Sequence, residues 1–376
     1  MFSLKLFDED LLKFNVLENL ADPVVEITWI NENRINMLPI GMKATNQDLA
    51  KWLKHRAIPK NRAFVNSFLA KCGLNANRPM DVISVCKGLS LNDSYWVVDD
   101  RDNSTFKKSN LYDNNFSQIL ANIAFTGYGL SIRSSFASSP EFTTNGMLPK
   151  CWRRLSGKVY LYKGATSGAT NTGNEPYSEK YASLIAEAMG INVIPYKISK
   201  WKGNLCSVCE IFTSKEIAYV PIGRIVSSGG MQAVRKYYEE LGEEFATALN
   251  EMLIFDAIVC NTDRHFGNFG VLVDMSTNEI VAPAPLFDHG NALFSLAGDE
   301  NWENQELLEE YASTLLPCVY EDYIGEVKPY LDEAMKKKIR RLLKFKFSRL
   351  GTYNYSSKKI KMIEKMVQKR AALLLE

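Results

Sequence analysis

Two short polar clusters in this 376-residue chain carry residue types that can handle a phosphoryl group. The first is Asn261-Thr262-Asp263-Arg264-His265-Phe266-Gly267-Asn268, which follows an apolar, helix-periodic run from Glu243 to Val259 and precedes the strand-like Phe269-Gly270-Val271-Leu272-Val273. Asp263 and Asn268 stand five apart, the offset at which a phosphoryl-transfer loop sets a carboxylate against the acceptor hydroxyl and an amide oxygen against magnesium. That arrangement needs a loop, because on a helix the same offset turns the two side chains roughly 140° away from each other. Twenty residues after Asn268, Pro285-Leu286-Phe287-Asp288-His289-Gly290 supplies a second carboxylate. Asn268 and Asp288 suit magnesium, which takes one or two carboxylates with waters and substrate phosphates rather than a full protein cage.

The elements that must position these clusters show in the periodicity. Val159 to Lys163 reads as a strand whose inward face carries Val159, Leu161 and Lys163, and an ammonium on that face needs an anionic partner. The Gly/Thr/Asn-rich 164–174 lacks the Gly-Lys-Ser/Thr ending of a phosphate loop and reads as a connector. Gly127-Tyr128-Gly129 lacks the third glycine of a dinucleotide fingerprint. A helix follows, with Asn174 as cap, Pro176 in its first turn and Gly190 past its end. It offers Glu175, Glu179 and Glu187 as partners for Lys163. On a helical wheel Glu179 lies opposite the stripe Tyr177, Tyr181, Leu184, Ile185 and Ala188, so a solvent-facing charge is its ordinary alternative. Two strands joined by a tight turn at Lys202-Gly203-Asn204 come next. Beyond Gly230 the chain reads as mostly helical. Upstream, residues 23–40 read as two strands around an Asn-Glu-Asn turn, with short helices near 46–55 and 61–73.

The cluster Asn261 to Asn268 followed by Phe287-Asp288 resembles the HipA-like serine/threonine kinases of bacteria, whose catalytic loop reads N-x-D-x-H-x-x-N. Thr143-Thr144-Asn145-Gly146-Met147-Leu148-Pro149-Lys150 is similar to that family's phosphate-proximal loop, and Leu38-Pro39-Ile40-Gly41 and Lys87-Gly88-Leu89-Ser90 to its accessory region. The resemblance implies an α+β, bilobal protein-kinase-like fold. It has a mixed α/β N-terminal lobe with an accessory subdomain (1–115 accessory, 116–213 N-lobe) and a helical C-lobe (214–376). It implies an ATP- and magnesium-dependent transfer to Ser or Thr. Asp263 would be the base, Asn268 and Asp288 the magnesium ligands, and Lys163 the lysine that neutralises the phosphates. Gly146 and Lys150 would lie near phosphate, and alignment favours Glu179 as the partner of Lys163. Backbone groups near Glu210, Ile211 and Phe212 would form the adenine hinge. His265 sits in the nucleotide-binding set, as a brace of the loop rather than a proton carrier, and His289 acquires no role beyond its place beside Asp288. Thr143 and Thr144 become candidates for autophosphorylation, whose added charge would repel ATP and eject the loop.

Composition bounds these readings. Hydrophobic residues make up 46% and charged residues 23% of the chain, the mixture of a globular protein. Seven scattered cysteines and an acidic start without a basic flank point to a reducing compartment, the cytoplasm, and away from secretion. The Cys206-x-x-Cys209 pair lies in a strand-like run whose odd spacing turns the two thiols to opposite faces, which disfavours zinc. With three histidines, multi-histidine metal chemistry is disfavoured. Residues 336–376 hold 14 Lys/Arg against two Glu, net +12, leaving −10 for the rest. Ile339, Leu342, Leu343 and Phe347 recur there at helical spacing, so the segment reads as an amphipathic helix with a solvated basic face.

Two other functions fit parts of the pattern. Asp263-Arg264-His265-x-x-Asn268 also looks like the loop of phosphoinositide lipid kinases, with the basic segment meeting anionic lipid. Alternatively the chain is a kinase-fold regulator with an antitoxin or DNA-binding partner, meeting nucleic acid indirectly or through that segment. The serine/threonine-kinase reading expects a protein substrate, the lipid-kinase reading a membrane headgroup and the regulator reading an antitoxin or DNA-binding partner; none of them expects an integral membrane span.

Overall fold

The computed structural model describes the chain except residues 132–138, 169–170 and 349–350. It divides into two compact units. The first comprises Met1–Lys163, Glu210–Val220 and Leu272–Val281; the second comprises Gly164–Cys209, Pro221–Val271 and Ala282–Glu376.

The first unit opens on an antiparallel sheet of β1 (Phe2–Leu6), β2 (Glu9–Glu18), β3 (Val24–Ile30) and β4 (Tyr95–Asp99), in the order β3-β2-β1-β4. Leu4, Leu6, Leu12 and Phe14 lie on its buried side, as the period of two requires. Only one of the two strands expected in 23–40 forms. Past β3 the chain coils into a 3-10 helix, Glu32–Met37, because the Asn31 amide donates to the Asp10 carbonyl at 2.9 Å and Met37 is buried. Helices at Asn46–Lys54, Val65–Lys71, Pro79–Cys86 and Gln118–Thr126 follow; Thr45 and Ser117 cap the first and last with their side-chain oxygens. Phe68, Val82, Leu120, Ile123 and Phe142 pack as one cluster among them.

β5 (Lys150–Leu155) and β6 (Lys158–Lys163) then form a hairpin in which Lys150 faces Lys163 across the strands. Lys150 therefore begins a strand rather than ending a loop. The segments that return later add β9 (Ile217–Pro221), β10 (Gly270–Asp274) and β11 (Glu279–Pro283), ordered β11-β10-β9.

The second unit starts with the helix Glu175–Met189, closed by Gly190 in the left-handed region at φ 78°. Asn174 makes no side-chain cap; its amide donates to the Ser295 carbonyl at 2.9 Å instead. β7 (Lys197–Trp201) and β8 (Asn204–Glu210) pair around Lys202 and Gly203, both at positive φ, the geometry of a two-residue hairpin turn. Helices Gly230–Leu241 and Glu243–Val259 follow, and every residue from Met252 to Val259 is buried. The basic end holds two helices, Glu333–Arg340 and Ser357–Leu375, rather than one, and the second buries Ile363, Met366 and Val367. Ile339 and Leu342 point inward, whereas Leu343 is exposed. Among the described residues no helix is long and apolar enough to cross a membrane.

Candidate functional site

In the second unit, the chain leaves the buried Glu243–Val259 helix through Cys260, held at φ 51°. The loop beyond is folded on its own polar side chains. Asn261 donates to Asp256 Oδ1 at 3.0 Å and accepts from the Asp263 N–H at 3.2 Å, while the Tyr323 hydroxyl donates to the Asn261 carbonyl at 2.7 Å. The Asn268 amide Nδ2 donates to the Asp263 carbonyl at 3.0 Å, which ties the two ends of the five-residue offset together. With the nitrogen so committed, the amide oxygen of Asn268 is the side-chain atom that could meet a cation. The Asp263 carboxylate accepts from Asn291 Nδ2 at 3.0 Å, so its orientation is set from the segment beyond Asp288. His265 is exposed, and its Nδ1 accepts from the Gly267 N–H at 3.0 Å, as a brace would.

Arg264 joins this loop to the one carrying Asp288. Its side chain, 1% exposed, takes Asp256 bidentately at 2.8 and 3.0 Å. Its Nη1 then donates to the Asn268 carbonyl at 3.1 Å and to the Phe287 carbonyl at 2.7 Å. Nη2 lies 3.1 Å from His289 Nδ1, and because a guanidinium only donates, that nitrogen accepts. Burial alone would lower the Arg264 pKa; the Asp256 charge and hydrogen bonds, followed by the Asp288 charge, reverse this and raise it. The arginine stays cationic.

Asp288 itself sits at φ 58°, a left-handed conformation that costs free energy for any residue but glycine, least for Asn and Asp. Four contacts hold the turn there. The Phe287 carbonyl meets Arg264; the Asp288 N–H donates to Tyr196 Oη at 3.2 Å; the His289 N–H donates to Glu179 Oε2 at 2.7 Å; and Ser178 Oγ lies 2.6 Å from the His289 carbonyl. Tyr196 is held as a neutral phenol well above its ordinary pKa, first by burial and then by the charges of Glu179, Cys209 and Asp288.

Glu179 is fully buried, which corrects the solvent-facing alternative read from the helical wheel. Glu175, Ser178, Glu179, Ala182, Ile185, Ala186 and Met189 form one buried face, polar in its first turn and apolar beyond. Arg264, Asp256, Asn291, Ser178, Tyr196 and His289 received no role from the sequence. The one usable signal was Asp256, a lone carboxylate inside the apolar run Leu253-Ile254-Phe255-Asp256-Ala257-Ile258-Val259.

In the first unit, Lys163 is buried at the end of β6 beside the equally buried Lys150. Gly146 has φ +93°, and a Cβ there would come within 2.1 Å of Lys150 Nζ, so the ammonium lies directly under the loop at Gly146. Thr143 is 3% exposed and donates to the Leu89 carbonyl at 2.7 Å; Thr144 Oγ1 donates to the Pro140 carbonyl at 2.6 Å and accepts from Trp152 Nε1 at 2.9 Å. Neither hydroxyl is presented to solvent as a ready acceptor. Glu210 pairs with Lys158 at 2.9 Å, and Phe212 packs edge-on against Tyr219. The Ile211 N–H donates to the Val159 carbonyl at 3.0 Å, so the hinge expected there does not have that donor to offer adenine.

Asn268 and Asp288 fit magnesium rather than a softer metal: two oxygen donors, held by backbone contacts, with no thiolate or imidazole in the set. Among the described residues no group of three His, Cys, Asp or Glu side chains could hold a metal ion, so a magnesium at Asn268 and Asp288 would depend on waters or phosphate oxygens for the rest of its shell.

No family model matches the sequence, and no curated protein matches it. Solved structures do. HipA of the Shewanella oneidensis MR-1 toxin–antitoxin system, described in complex with HipB and operator DNA, superposes with a TM-score of 0.57 at 11% identity, over 100% of this chain and 97% of its own. The Helicobacter pylori proinflammatory kinase CtkA aligns with a TM-score of 0.46 at 17% identity, over 59% of this chain and 90% of its own. The chain has the HipA-like, protein-kinase-like fold.

Proposed function

We propose that the chain is an ATP- and magnesium-dependent protein kinase that transfers the γ-phosphoryl group to a Ser or Thr hydroxyl. The observation that carries this reading is Arg264, which binds the carbonyls of Asn268 and Phe287 at once and so fixes the Asp263–Asn268 loop against the Asp288 turn. Asp263, oriented by Asn291, orients the acceptor hydroxyl and takes its proton. Asn268 and Asp288 hold magnesium, which when bound neutralises phosphate charge. Lys163 and Lys150 offset the remaining phosphate charge. The fold likeness to HipA, whose solved structure is a complex with HipB and operator DNA, supports a place in a toxin–antitoxin pair, with an antitoxin or DNA-binding protein as partner. Autophosphorylation at Thr143 or Thr144 requires the loop first to leave the contacts that now occupy both hydroxyls.

The test is incubation with labelled ATP and magnesium in a cell lysate, with three proteins side by side. Wild type labels a protein on Ser or Thr. Asp263→Asn keeps nucleotide binding and loses at least about a hundredfold in turnover. Asp288→Asn, which tolerates the left-handed backbone, weakens magnesium-dependent nucleotide binding. Equal turnover in Asp263→Asn and wild type refutes the base assignment, and label appearing in the lysate's lipid rather than its protein refutes the substrate class.

A further inference from the structure

The loop Glu141–Lys150 is held from a part of the chain distant in sequence. Arg62, just before the helix Val65–Lys71, is 3% exposed, and its guanidinium reaches three backbone carbonyls of the loop. Nη1 donates to Glu141 O at 3.3 Å and to Thr144 O at 3.0 Å, and Nη2 to Lys150 O at 2.5 Å. These are the entry, the middle and the exit of the loop. The next residue adds a fourth tie, since the Ala63 N–H donates to the Met147 carbonyl at 2.7 Å. Within the loop the turn is closed by the Thr143 and Thr144 N–H groups on Pro140 O, at 3.2 and 3.1 Å. Met147, at the tip, is 61% exposed.

We propose that Arg62 is a positioning residue that seats the Glu141–Lys150 loop, so that the N-terminal region sets the geometry at Gly146 and Lys150 without touching nucleotide. A planar, five-donor fork can satisfy three carbonyls at once; a lysine ammonium on a flexible stem cannot hold the same three in register. Burial lowers the Arg62 pKa to about 10, with Glu141 and Cys151 opposing the shift, so the group is charged at neutral pH and its hydrogen bonds are the stronger, charge-assisted kind. The carbonyls it serves at Glu141 and Lys150 are buried with it. Without the fork the loop loses three of its ties, and Lys150, whose ammonium lies against Gly146, loses its support. The consequence for nucleotide rests on the phosphate-loop reading above; the seat itself does not.

The experiment is hydrogen exchange on the full chain, comparing wild type, Arg62→Ala and Arg62→Lys, with ATP kinetics measured on the same preparations. Exchange at the Thr143 and Thr144 amides rises about tenfold or more in Arg62→Ala and by less in Arg62→Lys, while the amides of β1 and β4 keep their rates. The ATP KM rises about tenfold in Arg62→Ala with kcat changed less, and Arg62→Lys falls between. Unchanged exchange at Thr143 and Thr144 in folded Arg62→Ala overturns the seat, as does a uniform rise across β1 and β4, which would mark a merely structural arginine. Faster loop exchange with an unmoved KM upholds the seat and removes the loop from the nucleotide site. If Arg62→Ala does not fold, Arg62→Lys carries the same comparison.

Discussion

Replacing Arg264 by methionine separates the two things this side chain does. In Arg264→Met the Asp256 carboxylate, fully buried, loses its bidentate partner, and breaking a buried pair from one side costs about 3–5 kcal/mol. The Asn268 and Phe287 carbonyls lose a charged donor as well, bringing the total to about 4–6 kcal/mol. That is a large part of the roughly 5–15 kcal/mol that holds a domain folded, and it lowers the melting temperature on the order of 10–20 °C. The double variant Asp256→Leu/Arg264→Met removes both charges and fills the site with apolar volume, which recovers most of the loss. Activity does not follow stability. With Asn268 and Phe287 no longer on one guanidinium the two loops part, and a displacement of about 1 Å costs about a hundredfold in turnover. Calorimetry and a phosphoryl-transfer assay on wild type, single and double variants read both effects. A double variant that regains wild-type turnover along with its melting temperature refutes the argument and leaves Asp256–Arg264 a structural ion pair only.

Cys318 is the exposed cysteine of the chain and the other six are buried, so alkylation of the folded protein modifies Cys318 alone, read by mass spectrometry. Burial raises its pKa first, and the charges of Asp263 and Asp256 add to that; Asp263→Asn therefore speeds the alkylation near neutral pH, and an unchanged rate would place Asp263 away from the thiol. Burial also raises the pKa of Glu141 above its ordinary 4.5, against hydrogen bonds from Ser139 and the Trp152 N–H. The folded state then binds more protons than the unfolded state above pH 4.5, so wild type loses stability as the pH climbs through the raised value, and Glu141→Gln flattens that slope in denaturation measured from pH 4 to 8.

The loop that carries Asp263 and Asn268 and the elements flanking it were legible because they are local. The apolar run Glu243–Val259, the turn at Lys202-Gly203 and the Gly190 stop each depend on neighbours within a few residues. The residues that hold the loops were not legible, since Asp256–Arg264, Asn291–Asp263 and Glu179–His289 are long-range pairs that no periodicity encodes. Glu179 shows the limit of a helical wheel: the apolar stripe marks only part of the surface this helix buries, and Glu179 lies on the polar remainder, where it accepts from the His289 N–H. The strand expected after the Asn-Glu-Asn turn failed for a related reason, because the Asn31 amide found the Asp10 carbonyl and the chain coiled. Lys150 reads as a loop residue in the sequence because its cross-strand neighbour, Lys163, lies 13 positions away.

The left-handed backbone at Asp288 has a bearing on how such a chain can change over generations. Asparagine adopts that conformation almost as readily and has nearly the same shape, while the tethers from Tyr196, Glu179, Ser178 and Arg264 act on main-chain atoms and do not need the carboxylate. Were the proposed kinase activity no longer under selection, a lineage could therefore exchange the acid at this position for asparagine with its architecture intact, leaving a scaffold that only a functional assay would tell from its ancestor.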